Sequence, residues 1–303
     1  MGYNCVVLVK QVPDTQRISG KVMNDDGTVN RAALPAIFNP EDLNALEMAL
    51  QIKDEYGGTV TAITMGLPTA SNTLRQALYR GADKAVLITD IKAAASDTLA
   101  TSYILSCAIK KLDYDIVLCG RQAIDGDTAQ VGPQAAEKLG LTQISYVEEL
   151  GEITNGTITV KRSLGNGWQT ARTKLPVLLT VLDTANEPRV AAAKKLMKHK
   201  IAQAPVEIAK AVKEANPEAN ETELNELAKI QATRLEERGC LIQQWNLADL
   251  EADLQWCGRS GSPTKVHRIQ SVVLAGKDSK EIEPTEAGIS AMIHELIEDN
   301  IIA

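Results

Sequence analysis

Aromatic residues are scarce in this 303-residue sequence, with three Trp, six Tyr and one Phe, and the formal net charge is −7. A nucleic-acid-binding surface needs a basic stripe or a row of stacking aromatics, so no nucleic-acid partner is expected. No apolar run approaches the roughly 20 residues that cross a bilayer, so no transmembrane segment is expected. The opening "MGYNCVVLVKQVPD" runs straight into an apolar strand without a signal peptide's charged start and cleavage site. A cytoplasmic protein is expected. Gly2 would suit myristoylation, but Val6 stands where Ser or Thr is wanted.

Cysteine pairs are missing too. Cys5, Cys107, Cys119, Cys240 and Cys257 contain no C-x-x-C, which removes zinc ribbons and cysteine-held clusters. Cys5 and Cys119 lie within apolar runs and read as small hydrophobes. His199, His267 and His294 are far apart and read as surface or capping residues, with no metal site. No G-x-G-x-x-G follows the first strand, and neither G-x-x-x-x-G-K-[ST] nor G-x-S-x-G occurs. The usual dinucleotide and triphosphate cradles and the hydrolase elbow are therefore absent. No internal repeat, low-complexity tract or strong general acid, base or nucleophile emerges. That makes a hydrolase or transferase a poor candidate. A redox cofactor that performs its own electron chemistry would need no such side chain.

What is present is alternation. "YNCVVLVK", "TVTAITMG", "KAVLITD", "YDIVLCG" and "QISYVEEL" read as strands. "NPEDLNALEMALQIKDEYG", "PTASNTLRQALYRGA", "SDTLATSYILSCAIKKLD" and "DTAQVGPQAAEKLGL" read as the helices between them. Asn39 or Pro40 opens the first helix and Gly57 closes it. This order predicts an α/β fold with a doubly wound, mostly parallel sheet. After residue 150 the pattern changes. "GTITVKRSLGNGWQTARTKLPVLLTVL" alternates around Gly165-Asn166-Gly167, a hairpin signal that predicts added antiparallel strands. Residues 204–237 read as charged helices, with a capping box at Asn220 and Glu223 and a stripe at Leu224, Leu227, Ala228 and Leu235. "CGRSGSPTKVHRIQSVV" is too turn-rich for a helix. "PTEAGISAMIHELIEDNIIA" is an amphipathic helix with an apolar end. The expected divisions are an α/β nucleotide-binding domain at 1–185, a segment with a helical insertion and connecting arm at 186–265, and a C-terminal helical extension at 266–303.

Open parallel sheets bind ligands beyond the C-terminal ends of their strands. Small polar clusters fall there: "KQVPD" with Lys10, "NPED" with Asn39, Pro40, Glu41 and Asp42, "TMGLP" with Met65 and Gly66, and "SDTLAT" with Thr98. The longest is "CGRQAIDGDTAQVG". Gly120 would turn the backbone sharply and Gly126 would admit a ligand closely. Arg121 could pair with a pyrophosphate or be solvated. Gln122 offers a donor and an acceptor, followed by Ala123 and Ile124. Asp125 and Asp127 could accept from ribose hydroxyls or cap the next helix. Thr128, Ala129 and Gln130 would sit at that helix's N-terminus, whose free amides suit a phosphate. Together these favour a nucleotide or dinucleotide ligand.

"VLVKQVPD", "NPEDLNALEMAL", "MGLPTASNTLRQALYRGADKAVLITD", "DTLATSY", "CGRQAIDGDTAQVGPQAAEKLGL" and "LPVLLTVLDTANEPR" resemble the beta, or small, subunit of electron transfer flavoproteins. The likeness covers about residues 1–198 and resumes with "WNLADL" and "GRSGSPTKV". It implies a heterodimer with an alpha subunit that carries its own flavin. It also implies a nucleotide pocket at Leu8, Asn39 to Asp42, Met65 and Arg121 through Val131 and Gly132. In plain members the pocket holds structural AMP, and in electron-bifurcating members a second FAD reduced by NADH. "RQAIDGDTAQVGPQ" resembles the bifurcating branch, because small residues at Gly126, Thr128 and Ala129 leave room for the rest of FAD. The resemblance then implies electrons passing to ferredoxin or flavodoxin. It also implies transfer, through the alpha-subunit flavin, to an acyl-CoA dehydrogenase or another flavin reductase. A stand-alone nucleotide-binding regulatory module is the rival from another class. Two stretches depart from the family pattern: "VAAAKKLMKHK", with Ala193 at the anchor place and Leu196 and Met197 nearby, and the insertion at 204–238.

Overall fold

The computed structural model describes residues 2–14, 35–264 and 281–298. Strand β1 (Cys5–Leu8) is buried at all four positions, as a strand covered on both faces must be. Its side chains alternate between two cores. Cys5 and Val7 pack with α1 (Pro40–Tyr56) and α2 (Ser71–Arg80), while Val6 and Leu8 pack with α3 (Thr98–Ile109) and α4 (Val131–Leu139). Helices on both faces of a parallel sheet make the fold doubly wound.

Among the described residues the main sheet has nine strands in the order β11-β5-β4-β1-β6-β10-β7-β8-β9. These are β4 (Val60–Met65), β5 (Lys84–Ile88), β6 (Ile116–Gly120), β7 (Thr142–Thr154), β8 (Thr157–Ser163), β9 (Trp168–Lys174), β10 (Val177–Val181) and β11 (Gln243–Trp245). The chain builds outward from β1 through β4 to β5, then returns to β6 on the other side of β1. That reversal opens the crevice where such sheets hold ligands. A separate two-stranded antiparallel sheet joins β2 (Gln11–Pro13) to β3 (Ala36–Phe38).

Three expectations need correction. The antiparallel addition holds for β7, β8 and β9. It does not hold for β10, which runs parallel to both β6 and β7. "VLLTV" is buried at every position, the pattern of a central parallel strand and not of an alternating edge. Helix α4 begins at Val131, not at Asp127, and ends at Gly140, which has φ 68°. One helical turn, α8 (Gly258–Gly261), forms in the stretch read as too turn-rich. The remainder of that stretch, from residue 265 on, lies outside the described residues, as does His267.

The insertion is helical as expected, with α6 (Pro205–Ala215) and α7 (Glu221–Glu237), and it is preceded by α5 (Ala193–His199), a helix that was not expected. Asn220 and Glu223 form their reciprocal cap, each bond 3.0 Å. Ile208 and Leu235 are buried in the core that contains α1 and α2, so the insertion packs onto the sheet domain. The described residues up to 264 form one compact unit. The second unit, from residue 267, contains α9 (Glu286–Glu298), with Ile289, Ile293 and Ile297 along one exposed face. The tail's apolar end, 299–303, lies outside the described residues.

Candidate functional site

The C-terminal ends of β1, β4, β5 and β6 surround a cavity of about 780 Å³. Ligand pockets commonly span about 300–1,000 Å³, so this one is large. Leu8 and Lys10 line it from the end of β1, Met65 and Gly66 from the end of β4, and Thr98 from the first turn of α3. Gly120, Arg121, Gln122 and Ala123 continue the wall beyond β6, and Gly126 to Gly132 complete it up to α4. Asp42 reaches the lining from α1. Asn39, Pro40, Glu41, Ile124 and Asp125 do not line the cavity.

The sequence reading missed the stretch after β5. Thr89, Asp90, Ile91 and Ala93 to Ala95 form one side of the cavity, running into Ser96 and Asp97 of the expected "SDTLAT" cluster. Their mixture of apolar and small residues carries no motif, and only their position after a strand would have pointed to them. Asp90 and Asp97 are already engaged. Asp90 accepts from the amides of Lys92 and Leu247, and Asp97 from those of Ala100 and Thr264. Burial raises the Asp97 pKa, but those amide bonds outweigh it and hold the carboxyl below the usual range.

The first turn of α1 braces the site from behind. Asp42 Oδ1 accepts from Gly120 N and Oδ2 from Lys10 N, both at 2.9 Å, so one carboxylate ties the ends of β1 and β6. Burial pushes its pKa up to about 7 against those stabilising bonds. Arg121 is not merely solvated: its Nη2 lies 2.5 Å from Glu41 Oε1. Gly120 is needed for a reason other than a sharp turn. A Cβ there would lie 2.6 Å from Asp42 Oδ1 and 2.7 Å from Glu41 Cβ. At Gly126, by contrast, a Cβ would meet nothing within 4 Å. Among the described residues nothing requires glycine there, which suits close approach by a ligand.

Neither Asp125 nor Asp127 caps α4. Asp125 pairs with Lys10 Nζ at 2.7 Å, and Asp127 accepts from Gln122 Nε2 at 3.2 Å. The N-cap position falls to Gln130, whose side chain makes no capping bond, and the helix opens with Val131, Gly132 and Pro133. Thr128, Ala129 and Gln130 therefore precede the first turn. An uncapped N-terminus facing a cavity leaves free amides, which suit an anion. Three non-glycine residues on the lining hold positive φ: Ala95 (58°), Asp127 (47°) and Ala129 (53°). Such conformations cost about 1–3 kcal/mol each and cluster at ligand sites.

Cys119, on the lining, is held as a neutral thiol because burial raises its pKa. Cys5 is likewise buried. His199 departs from its expected surface role: it is buried at the end of α5, where desolvation lowers its pKa. Among the described residues no three His, Cys, Asp or Glu are placed to hold a metal ion, and no helix is long and apolar enough to cross a membrane. The arrangement offers amides, two cations and apolar walls. It has the groups to bind and orient a nucleotide.

A family model described as "Electron transfer flavoprotein domain" matches residues 26–214. The electron transfer flavoprotein subunit beta of Clostridium acetobutylicum is 38% identical over 299 residues, covering 99% of this chain and 100% of that protein. The protein FixA of Sinorhizobium fredii is 37% identical over 300 residues, 96% of this chain and 91% of its own. The acryloyl-CoA reductase electron transfer subunit gamma of Anaerotignum propionicum is 50% identical over 191 residues, 60% of this chain and 69% of its own.

Proposed function

Because the chain belongs to the electron transfer flavoprotein family, matching a beta subunit over nearly its whole length, we propose that it works as the small subunit of a heterodimer and holds FAD in the cavity. The full-length match speaks against a stand-alone regulatory module. The observation that carries the choice of FAD is the cavity itself. Its roughly 780 Å³ extends from the uncapped start of α4 across the ends of four strands. An adenine mononucleotide would fill only part of that space.

In this reading the backbone amides at Val131 and Gly132 receive the pyrophosphate, where the helix dipole favours negative charge. Lys10 adds a cation at the β1 end of the cavity, and Gln122 and Asp127 offer donors and acceptors to the polar groups of the nucleotide. Gly126 keeps its stretch of wall thin. Met65, Ile88 and Ile91 supply an apolar surface that excludes water from a planar ring system. Bound there, FAD supplies acceptance of a hydride from NADH and onward delivery of single electrons to ferredoxin or flavodoxin and, through the alpha-subunit flavin, to an acyl-CoA dehydrogenase or another reductase. The chain's own residues bind, orient and shield.

The C-terminal extension at 266–303 docks on the alpha subunit through the Ile289, Ile293 and Ile297 face in this reading, since an apolar helical face normally finds a cover. Titration of the purified heterodimer with NADH tests the electron-transfer claim. Bleaching of both flavin absorbances is expected, and a beta-site cofactor that NADH leaves unchanged contradicts it.

A further inference from the structure

Asn39 and Glu41 belong to the polar turn that opens α1, yet neither side chain lines the cavity. Both are almost fully buried, Glu41 at 5% exposure and Asn39 at 0%. Asn39 occupies the N-cap position of α1, where an asparagine usually accepts from a helix amide. Here it makes no capping bond. Its Oδ1 accepts from Ile124 N at 3.2 Å, and its Nδ2 donates to Gln122 O at 2.9 Å. Glu41 Oε2 accepts from Gln122 N at 2.8 Å, while Oε1 takes the Arg121 guanidinium. Thus both side chains hold the backbone of the β6–α4 loop more than 80 residues away.

Burying a carboxylate is costly unless it is paired and hydrogen-bonded. Glu41 meets that condition through Arg121, the Gln122 amide and its place in the first turn of α1, where the dipole favours an anion. The loop is therefore fixed along Gly120–Ile124. Beyond that point the loop holds chiefly to itself, with Gly126 N at 3.2 Å and Asp127 N at 2.9 Å both donating to Ala123 O and Gln122 Nε2 donating to Asp127. The Lys10–Asp125 pair is partly exposed and screened by solvent. The space around Gly126 is open, and Asp127 and Ala129 sit in strained conformations. A base clamped before binding leaves less backbone to order when a ligand arrives.

We infer that Asn39 and Glu41 are positioning residues that set the binding shape of the β6–α4 loop without touching what it binds, an inference that rests on the nucleotide reading above. The clamp explains why two buried polar groups stand behind the wall of a site they do not line.

The test uses the heterodimer carrying Glu41→Ala, which removes both carboxylate contacts, or Glu41→Gln, which keeps an acceptor for the Gln122 amide and loses the charge beside Arg121. FAD and AMP are the probes, and amide hydrogen exchange is followed in the same samples. For whichever probe the wild type binds, affinity falls by roughly tenfold or more in Glu41→Ala, the scale of a lost charge-assisted hydrogen bond. Glu41→Gln gives a smaller loss. Exchange rises at Gln122 and Ile124 and stays slow in β1 and β6. Equal loss of protection in β1 and β6 would mean a general structural role and overturn the proposal. Should Glu41→Ala fail to fold, Glu41→Gln carries the same two readouts. A looser loop with unchanged affinity sinks this inference alone. A wild-type heterodimer that takes up neither FAD nor AMP sinks the nucleotide reading, and this inference with it.

Discussion

Gly120 and Gly126 lie in one loop and are glycine for opposite reasons. A side chain at Gly120 collides with Asp42 and Glu41, so Gly120→Ala is expected to destabilise the chain by about 1–3 kcal/mol, the usual cost of overpacking. At Gly126 the described residues leave nothing to collide with. Gly126→Leu, combined with a bulky residue at Thr128, should change unfolding by no more than about 0.5 kcal/mol while flavin occupancy collapses. Thermal melting and flavin absorbance on the same samples check both halves. Asp42 adds a pH signature. Its folded pKa of about 7 lies well above the ordinary aspartate range, so the native state binds the proton more tightly than the unfolded state. Its contribution therefore favours the fold at low pH and is lost as pH rises from about 4 through about 7. Denaturant titrations across that window should show a smaller fall in stability with pH for Asp42→Asn than for the wild type. Asn39, Lys10 and Cys119 surround the group, and an unchanged difference between the proteins would show that its proton is not linked to folding.

At the scale of elements, legibility follows the strength of the local pattern. The four parallel strands β1, β4, β5 and β6 were readable because strands buried on both faces are continuous apolar runs bounded by turns. The capping box of α7 was readable because Asn220 and Glu223 are local in sequence. Its removal by Asn220→Ala is expected to cost about 1 kcal/mol and to speed amide exchange in the first turn of α7. The direction of β10 was not readable. "VLLTV" says only that both faces are covered, while its parallel pairing with β6 and β7 is decided by distant neighbours. β11 is three residues, "QQW", too short for any period. The candidate site divides in the same way. The loop at 120–132 announced itself through glycines and polar residues, but the wall after β5 did not. A capping role stayed open for Asp125 and Asp127, beside a ribose contact, because sequence spacing cannot tell a capping bond from the Lys10–Asp125 pair, which closes across 115 residues.

At the scale of the whole molecule, the sheet domain with its packed insertion and the C-terminal unit present different surfaces. In the proposed heterodimer, Ile289→Glu together with Ile293→Glu should weaken association with the alpha subunit on size-exclusion chromatography while leaving the melting of the isolated chain unchanged. Retained association would remove the docking role from α9. The central claim concerns what fills the crevice between β1 and β6, and extraction and identification of the cofactors from the purified heterodimer test it most directly. Two FAD per heterodimer is the predicted result. One FAD with one AMP would contradict the bifurcating assignment and make this subunit a plain electron carrier's partner.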